Sequence, residues 1–277
     1  IIPPSLTMII YCSLTGLSIG ECFMAGVIPG LIIGLGVAVV TYFYARRLGI
    51  KGDERVPYRE RLTAIKDGIL AIIMPLIIIG GIVSGIFTPT ESGAIAVIYA
   101  LVIGMFVYKE FTYRELPRIF LKAASMTGMA LLIVAGASIF SWLVAYEKFP
   151  KMIITFLTGL TDNKYVIMML LVLFLLFVGM FIETLSATII CAPILMPVAA
   201  QYGIDPIQFA LIMVITLVYA GVTPPVGGVL FITMGIAKAK MKEALTYLAP
   251  YLGIICIVIL LLIFVPQISL LLPRLLF

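Results

Sequence analysis

Two stretches of this sequence combine paired prolines with hydroxyl and glycine residues in apolar surroundings: Ile2-Pro3-Pro4-Ser5 and Gly221-Val222-Thr223-Pro224-Pro225-Val226-Gly227-Gly228. Two successive prolines delete two backbone donors and release the carbonyls those donors would have served. In hydrocarbon such carbonyls need partners, and a small hard cation, which prefers oxygen ligands, is a good one. Ser5 and Thr223 add hydroxyl oxygens at the same breaks. The alternative for each is a structural kink served by neighbouring helices. A third centre is Glu183, the only charged residue between Lys164 and Asp205. A carboxylate at the middle of a bilayer costs about 3 kcal/mol or more, so it requires a reason to be there. Glu183, Thr184, Ser186 and Thr188 form an oxygen-rich cluster between two apolar arms, 165–182 and 189–201. That pattern reads as a hairpin with a polar tip, or as a headgroup-level turn between ordinary spans.

Other polar groups read differently. Thr88-Pro89-Thr90-Glu91 has the spacing of a capping box, with Thr88 as N-cap, Pro89 at N1 and Glu91 at N3. Ala135-Gly136-Ala137-Ser138, inside a long apolar run, suits close helix packing or a local unwinding that offers Ser138 to a ligand. An intramembrane enzyme would need a nucleophile, base or metal set, yet the chain has no histidine, no HExxH motif and no paired membrane aspartates. The four cysteines, Cys12, Cys22, Cys191 and Cys256, form no CxxC motif, which argues against a disulfide framework or a zinc site.

The elements that must hold these residues are membrane helices. Of 277 residues, 63% are apolar and 11% charged, at a mean hydropathy of +1.25, which excludes an ordinary soluble domain. Continuous runs lack the alternation of a β-barrel and cover 22–45, 69–87, 92–108, 124–146, 165–182 and 244–266. Three further stretches are interrupted: 1–20 by Pro3-Pro4, 186–201, ending after Pro193 and Pro197, and 206–236 by Pro224-Pro225. Basic residues gather in a loop over 46–67, in 109–122 and around Lys238, Lys240 and Lys242, which together hold 14 of the 18. Placing these on the cytoplasmic side is consistent with the span count, and it sets the Gly20-Glu21 connection and the C-terminus outside. The net charge of +5 thereby reads as topology rather than nucleic-acid binding. Residues 110–122 read as an amphipathic helix on the inner surface, and Trp142, Tyr146 and Tyr165 as interfacial anchors. A weak repeat is also present. Each Pro-Pro is followed 25 residues later by another proline, Pro29 and Pro250, at a common offset of 221. By the charge rule the copies have opposite polarity, the inverted-repeat arrangement of many membrane carriers.

The chain resembles the large membrane subunit of the tripartite ATP-independent periplasmic (TRAP) transporters, the DctM-like family. The resemblance rests on Ile2-Pro-Pro-Ser5, Gly26-Val-Ile-Pro-Gly30, Gly85-Ile-Phe-Thr-Pro-Thr-Glu91, Ala192-Pro-Ile-Leu-Met-Pro197, Gly203-Ile-Asp-Pro206 and Gly221-Val-Thr-Pro-Pro-Val-Gly227, in the family's order. It implies an all-α polytopic protein of the bacterial inner membrane, built as an inverted-repeat, elevator-type transporter with a helical hairpin and Pro-Pro broken helices. The sequence is then expected to correspond to the C-terminal two thirds of such a subunit. Residues 1–20 and 165–240 would form the moving part; 21–123 and 241–277 would form the scaffold, with 124–164 as a linking span and periplasmic segment. The resemblance implies sodium at Ser5, Glu183, Thr184, Thr223 and Gly227, where many relatives carry aspartate in place of Glu183, with substrate at Pro4, Ser138, Ser186 and Pro225. It further implies a small membrane subunit, a periplasmic substrate-binding protein and an organic anion, such as a dicarboxylate, keto acid or sialic acid, with no cofactor beyond the coupling ion. A passive channel or an inert scaffold is the rival.

Overall fold

In the computed structural model, residues 2–50, 57–224, 228–237 and 240–277 are described, and their regular structure is helical throughout. Seven helices among them are long and apolar enough to cross a membrane. The chain forms two compact units, one of Ile1–Tyr44 with Ile133–Phe277, the other of Ala45–Leu132.

The larger unit is built around a central helix. α1 (Leu6–Thr15) ends at Gly16, whose left-handed backbone (φ 73°) returns its N–H to the Cys12 carbonyl. α2 (Ile19–Arg47) follows. After α5 (Leu116–Tyr146) come α6 (Phe149–Thr158), α7 (Lys164–Phe181), α8 (Thr184–Gln201) and α9 (Pro206–Ala220). α10 (Gly228–Ala237), α11 (Met241–Phe264) and α12 (Gln267–Leu276) complete it. α9 is the centre: Phe209 to Leu217 are essentially sealed from the surface, and α1, α7, α8, α11 and α12 all pack on it. Between membrane helices burial adds little hydrophobic drive, so close packing and satisfied polar groups carry the association. Gly179 on α7 lets α9 approach, for a Cβ there would stand 2.6 Å from the Ala220 Cβ. The buried Gln208 amide donates to the Leu262 carbonyl at 2.8 Å. That carbonyl is the one Pro266, four residues on, has no N–H to serve.

α2 and α11 run antiparallel. Gly36 meets Ile254, the Thr41 and Tyr251 hydroxyls are 3.0 Å apart, and the Tyr44 ring stacks edge-on against Tyr247 at 5.6 Å. Element boundaries repeat along the chain: α1 and α10 are both ten residues long and start 222 residues apart, as α2 and α11 also do.

The smaller unit holds α3 (Tyr58–Val83), α4 (Pro89–Val102), a π turn at Ile103–Val107 and the first half of α5. The Thr88 capping box forms as expected, with Glu91 N–H donating to Thr88 Oγ1 and Thr88 N–H to the Glu91 carboxylate. Tyr99 on α4 donates to the Leu70 carbonyl at 2.8 Å, tying α4 to α3.

Several expectations are corrected. α8 runs unbroken through Pro193 and Pro197, as α2 does through Pro29 and α11 through Pro250. A lone proline removes one bond, which packed neighbours and local adjustment tolerate, whereas the doubled proline at 224–225 does end α9. Of the basic segment 46–67, residues 46–47 are the end of α2 and residues 58–67 the start of α3, so its described residues are mostly helical. No separate surface helix spans 110–122; a turn precedes Leu116, from which α5 continues for 31 residues. α6 was not foreseen, and the C-terminal segment divides at Val265–Pro266 into α11 and α12.

Candidate functional site

The break after α9 is closed by tightened turns. Val222 N–H donates to the Tyr219 carbonyl at 3.1 Å and Thr223 N–H to Ala220 at 2.9 Å, while Thr223 Oγ1 donates to Tyr219 at 2.8 Å. The two carbonyls that Pro224 and Pro225 leave unserved belong to Ala220 and Gly221, and both find other donors. Ala220 is taken by Thr223 and Gly221 by the N–H of Val229, at 3.2 Å. One step further on, the Val222 and Thr223 carbonyls accept no hydrogen bond from the described residues. Pro225 and Gly227 fall outside the described residues.

Against this break sits the tip of the α7–α8 hairpin. A Cβ built on Gly221 would lie 3.4 Å from Thr184 Oγ1, so the tip hydroxyl stands beside the end of α9. The close approach of α7 and α9 at Gly179 brings the tip to this position. Thr184 is half-buried, and its carbonyl accepts from Thr188 Oγ1 at 2.8 Å. Glu183 has a structural reason for its position: it is the N-cap of α8, and its Oε2 accepts from Leu185 N–H at 2.9 Å and Ser186 N–H at 3.1 Å. A carboxylate there satisfies orphan donors and complements the helix dipole. Among the described residues its other oxygen, Oε1, accepts nothing. Glu183 is exposed, and Ser186 is half-buried.

Ser5 caps α1 by position only. Its carbonyl accepts from Ile9 N–H at 3.1 Å, but its side chain makes no capping hydrogen bond although the residue is just 9% exposed. The first turn of α1 therefore presents N–H groups that the Ser5 side chain does not cap, with the Ser5 hydroxyl beside them. Pro4 is exposed next to it, and α1 itself packs along α8 and α9. Ser138 lies within α5, and its side chain is outside the described residues. The structure thus joins Thr184 with the Gly221–Thr223 break and puts Glu183 and Ser186 on the same tip.

Sequence reading missed two polar groups in the same bundle. Tyr11 on α1 and Thr216 on α9 are fully buried, and neither hydroxyl has a hydrogen-bond partner. Thr216 is the lone hydroxyl of the apolar run 209–218, whereas no local signal singles out Tyr11. Among the described residues no group of three or more His, Cys, Asp and Glu side chains could hold a metal ion, so a cation here would draw on carbonyls and hydroxyls with no more than a lone carboxylate such as Glu183.

The profile described as "Tripartite ATP-independent periplasmic transporter, DctM component" matches residues 1–268. The chain is 35% identical over 274 residues to the C4-dicarboxylate TRAP transporter large permease of Pseudomonas aeruginosa, covering 99% of this chain and 64% of that protein. It is 36% identical over 275 residues to the sialic acid TRAP transporter large permease of Vibrio cholerae, again 99% of this chain and 64% of the relative. The 2,3-diketo-L-gulonate TRAP transporter large permease of Escherichia coli is 34% identical over 271 residues, with 98% and 64% covered. The chain spans under two thirds of the length of these relatives. On the profile match and these identities, the chain belongs to the DctM component family of the tripartite ATP-independent periplasmic transporters.

Proposed function

We propose that this chain is the larger part of a membrane permease subunit that couples sodium entry to uptake of an organic anion across the bacterial inner membrane, with its C-terminus on the periplasmic face. The observation that carries this reading is Thr184 Oγ1 standing beside Gly221, where a hairpin tip meets a broken helix. Such junctions gather unpaired carbonyls and hydroxyls in a site that water does not freely enter, which suits a small cation. Ser5, Thr184, Thr223 and Gly227 supply oxygens to sodium, while Glu183 shapes the tip through Oε2 and offers Oε1. The first turn of α1 suits the other cargo. Its free N–H groups and positive dipole end, beside the uncommitted Ser5 hydroxyl, favour an anion. Pro4, Ser138, Ser186 and Pro225 complete the substrate's surroundings. The relatives are named for C4-dicarboxylate, sialic acid and diketogulonate transport, all carboxylate-bearing solutes, and the same class is proposed here.

Movement follows an elevator scheme. The common spacing of α1–α2 and α10–α11, with α2 antiparallel to α11, supports an inverted repeat. Residues 1–20 and 165–240 move against 21–123 and 241–277, with 124–164 as the link. A small membrane subunit and a periplasmic binding protein that delivers the anion complete the machine. Reconstitution of the full complex tests the scheme: uptake should require an inward sodium gradient and collapse when the gradient is dissipated. Equal flux with and without the gradient would instead identify a passive channel.

A further inference from the structure

The transport reading leaves one buried cluster unused. Cys12 lies in the last turn of α1 and Cys22 in the first turn of α2, with the Gly16–Ser18 turn between them. Both are free thiols and each is 1% exposed. They converge on one acceptor: Cys12 Sγ stands 3.9 Å from the Ser18 carbonyl oxygen, to which Cys22 N–H donates at 3.1 Å. The two thiols lie within interaction range of each other and of the Tyr11 phenol, which is buried without a hydrogen-bond partner. Glu21 and Asp205 are close to Cys22, an unfavourable setting for the paired thiolates that a soft metal would require. A neutral disulfide suits the same pocket.

We propose that Cys12 and Cys22 are joined as a disulfide in the native membrane, stapling the outer end of α1 to the first turn of α2, so that the flexing between moving and stationary parts falls in α2 beyond Cys22; the structure holds the reduced pair. The placement rests on the orientation proposed above, which sets the α1–α2 turn on the periplasmic face, where disulfides form and persist. The chemistry is thiol–disulfide exchange with a periplasmic disulfide donor, either a protein thiol oxidase or a small-molecule disulfide. One cysteine thiolate attacks the donor and releases its first thiol. The second cysteine then attacks the mixed disulfide, forming the Cys12–Cys22 bond and releasing the second thiol. Two electrons pass from the cysteine sulfurs to the donor, and the two cysteine protons end on the released thiols. Burial fixes the order of events. The exchange precedes the packing of α1 and α2, because the folded pair is out of a donor's reach, and afterwards the same burial shields the bond from reductants.

The test uses the full permease complex with every cysteine other than Cys12 and Cys22 replaced, Cys191→Ala and Cys256→Ala among them, purified without reductant and denatured in the presence of a polyethylene-glycol maleimide. The expected result is no adduct before reduction, two adducts after dithiothreitol, and one adduct without reduction in the additional Cys22→Ser variant. Two adducts without reduction would overturn the proposal. An engineered Lys164→Cys, treated in whole cells with an impermeant maleimide, tells the two causes of that failure apart. Labelling at position 164 together with a free pair means that the pairing is wrong; protection at 164 with a free pair means that the orientation is wrong.

Discussion

At the scale of single residues, the site depends on which oxygens are already committed. Glu183 spends Oε2 on two backbone donors of α8, so its replacement has two separable effects. Glu183→Ala removes the cap and should cost about 1 kcal/mol of stability, read as a lower Tm in detergent. Glu183→Asn keeps a capping acceptor but removes the charge. It should hold Tm near the wild-type value while raising the half-saturating sodium concentration about tenfold, about 1.4 kcal/mol of ion binding. Unchanged sodium dependence in Glu183→Asn would reduce Glu183 to a cap. Ser5 is the opposite case, with a hydroxyl that caps nothing. Ser5→Ala should therefore leave Tm unchanged and depress sodium-driven uptake, and a full rate of uptake at equal expression would remove Ser5 from the site.

At the scale of elements, close approach of helices is what brings the hairpin tip to the break. A Cβ at Gly179 would meet Ala220 at 2.6 Å and the Leu217 side chain at 3.2 Å, so Gly179→Ala must push α7 off α9. Overpacking of this kind costs about 1–3 kcal/mol; here the measurable outcomes are a lower Tm and loss of uptake, because Thr184 is carried away from Gly221. A different element is set by charge. Ahead of α5, the Glu115 carboxylate accepts from Thr112 N–H at 2.8 Å and from the Thr112 hydroxyl at 3.1 Å, and these bonds hold its carboxyl below the usual range. A lowered folded-state value means that the contribution is fully present above the unfolded carboxyl value, near about 4.3, and is lost as pH falls through the folded value. Wild type and Glu115→Gln should accordingly differ in Tm near neutral pH and converge in acid; a constant difference down to the lowest pH would exclude the linkage.

At the scale of the whole molecule, two helices of matching spacing, α2 and α11, lie antiparallel and are joined through Thr41, Tyr44, Tyr247 and Tyr251. In the elevator scheme this aromatic junction belongs to the stationary part, while α1 and the α7–α10 region move. Crosslinking cysteines placed at Thr41 and Tyr251 should therefore leave uptake intact. A crosslink that stops uptake would show relative motion at this junction and contradict the division of the chain into moving and stationary parts.

The sequence by itself determined the class of the fold, since 63% apolar residues in long runs have one physical solution, membrane helices that satisfy their own backbones. It also located the break at 224–225, the polar tip at 183–188 and the capping box at Thr88, because doubled proline, clustered oxygens in an apolar run and Thr-x-x-Glu spacing are local signals. Local signals did not reveal that Pro193 and Pro197 would be absorbed in α8, as Pro29 and Pro250 are in α2 and α11, since that depends on what neighbouring helices supply. Nor could they assign acceptors. Only the structure showed that Glu183 uses its carboxylate as the cap of its own helix, that Gly221 receives Val229 while Val222 and Thr223 accept nothing from the described residues, and that Thr184 lies beside the break. Sequence gives each polar atom its chemistry, but the partner that satisfies it, or the lack of one, is fixed by chain segments brought together in space.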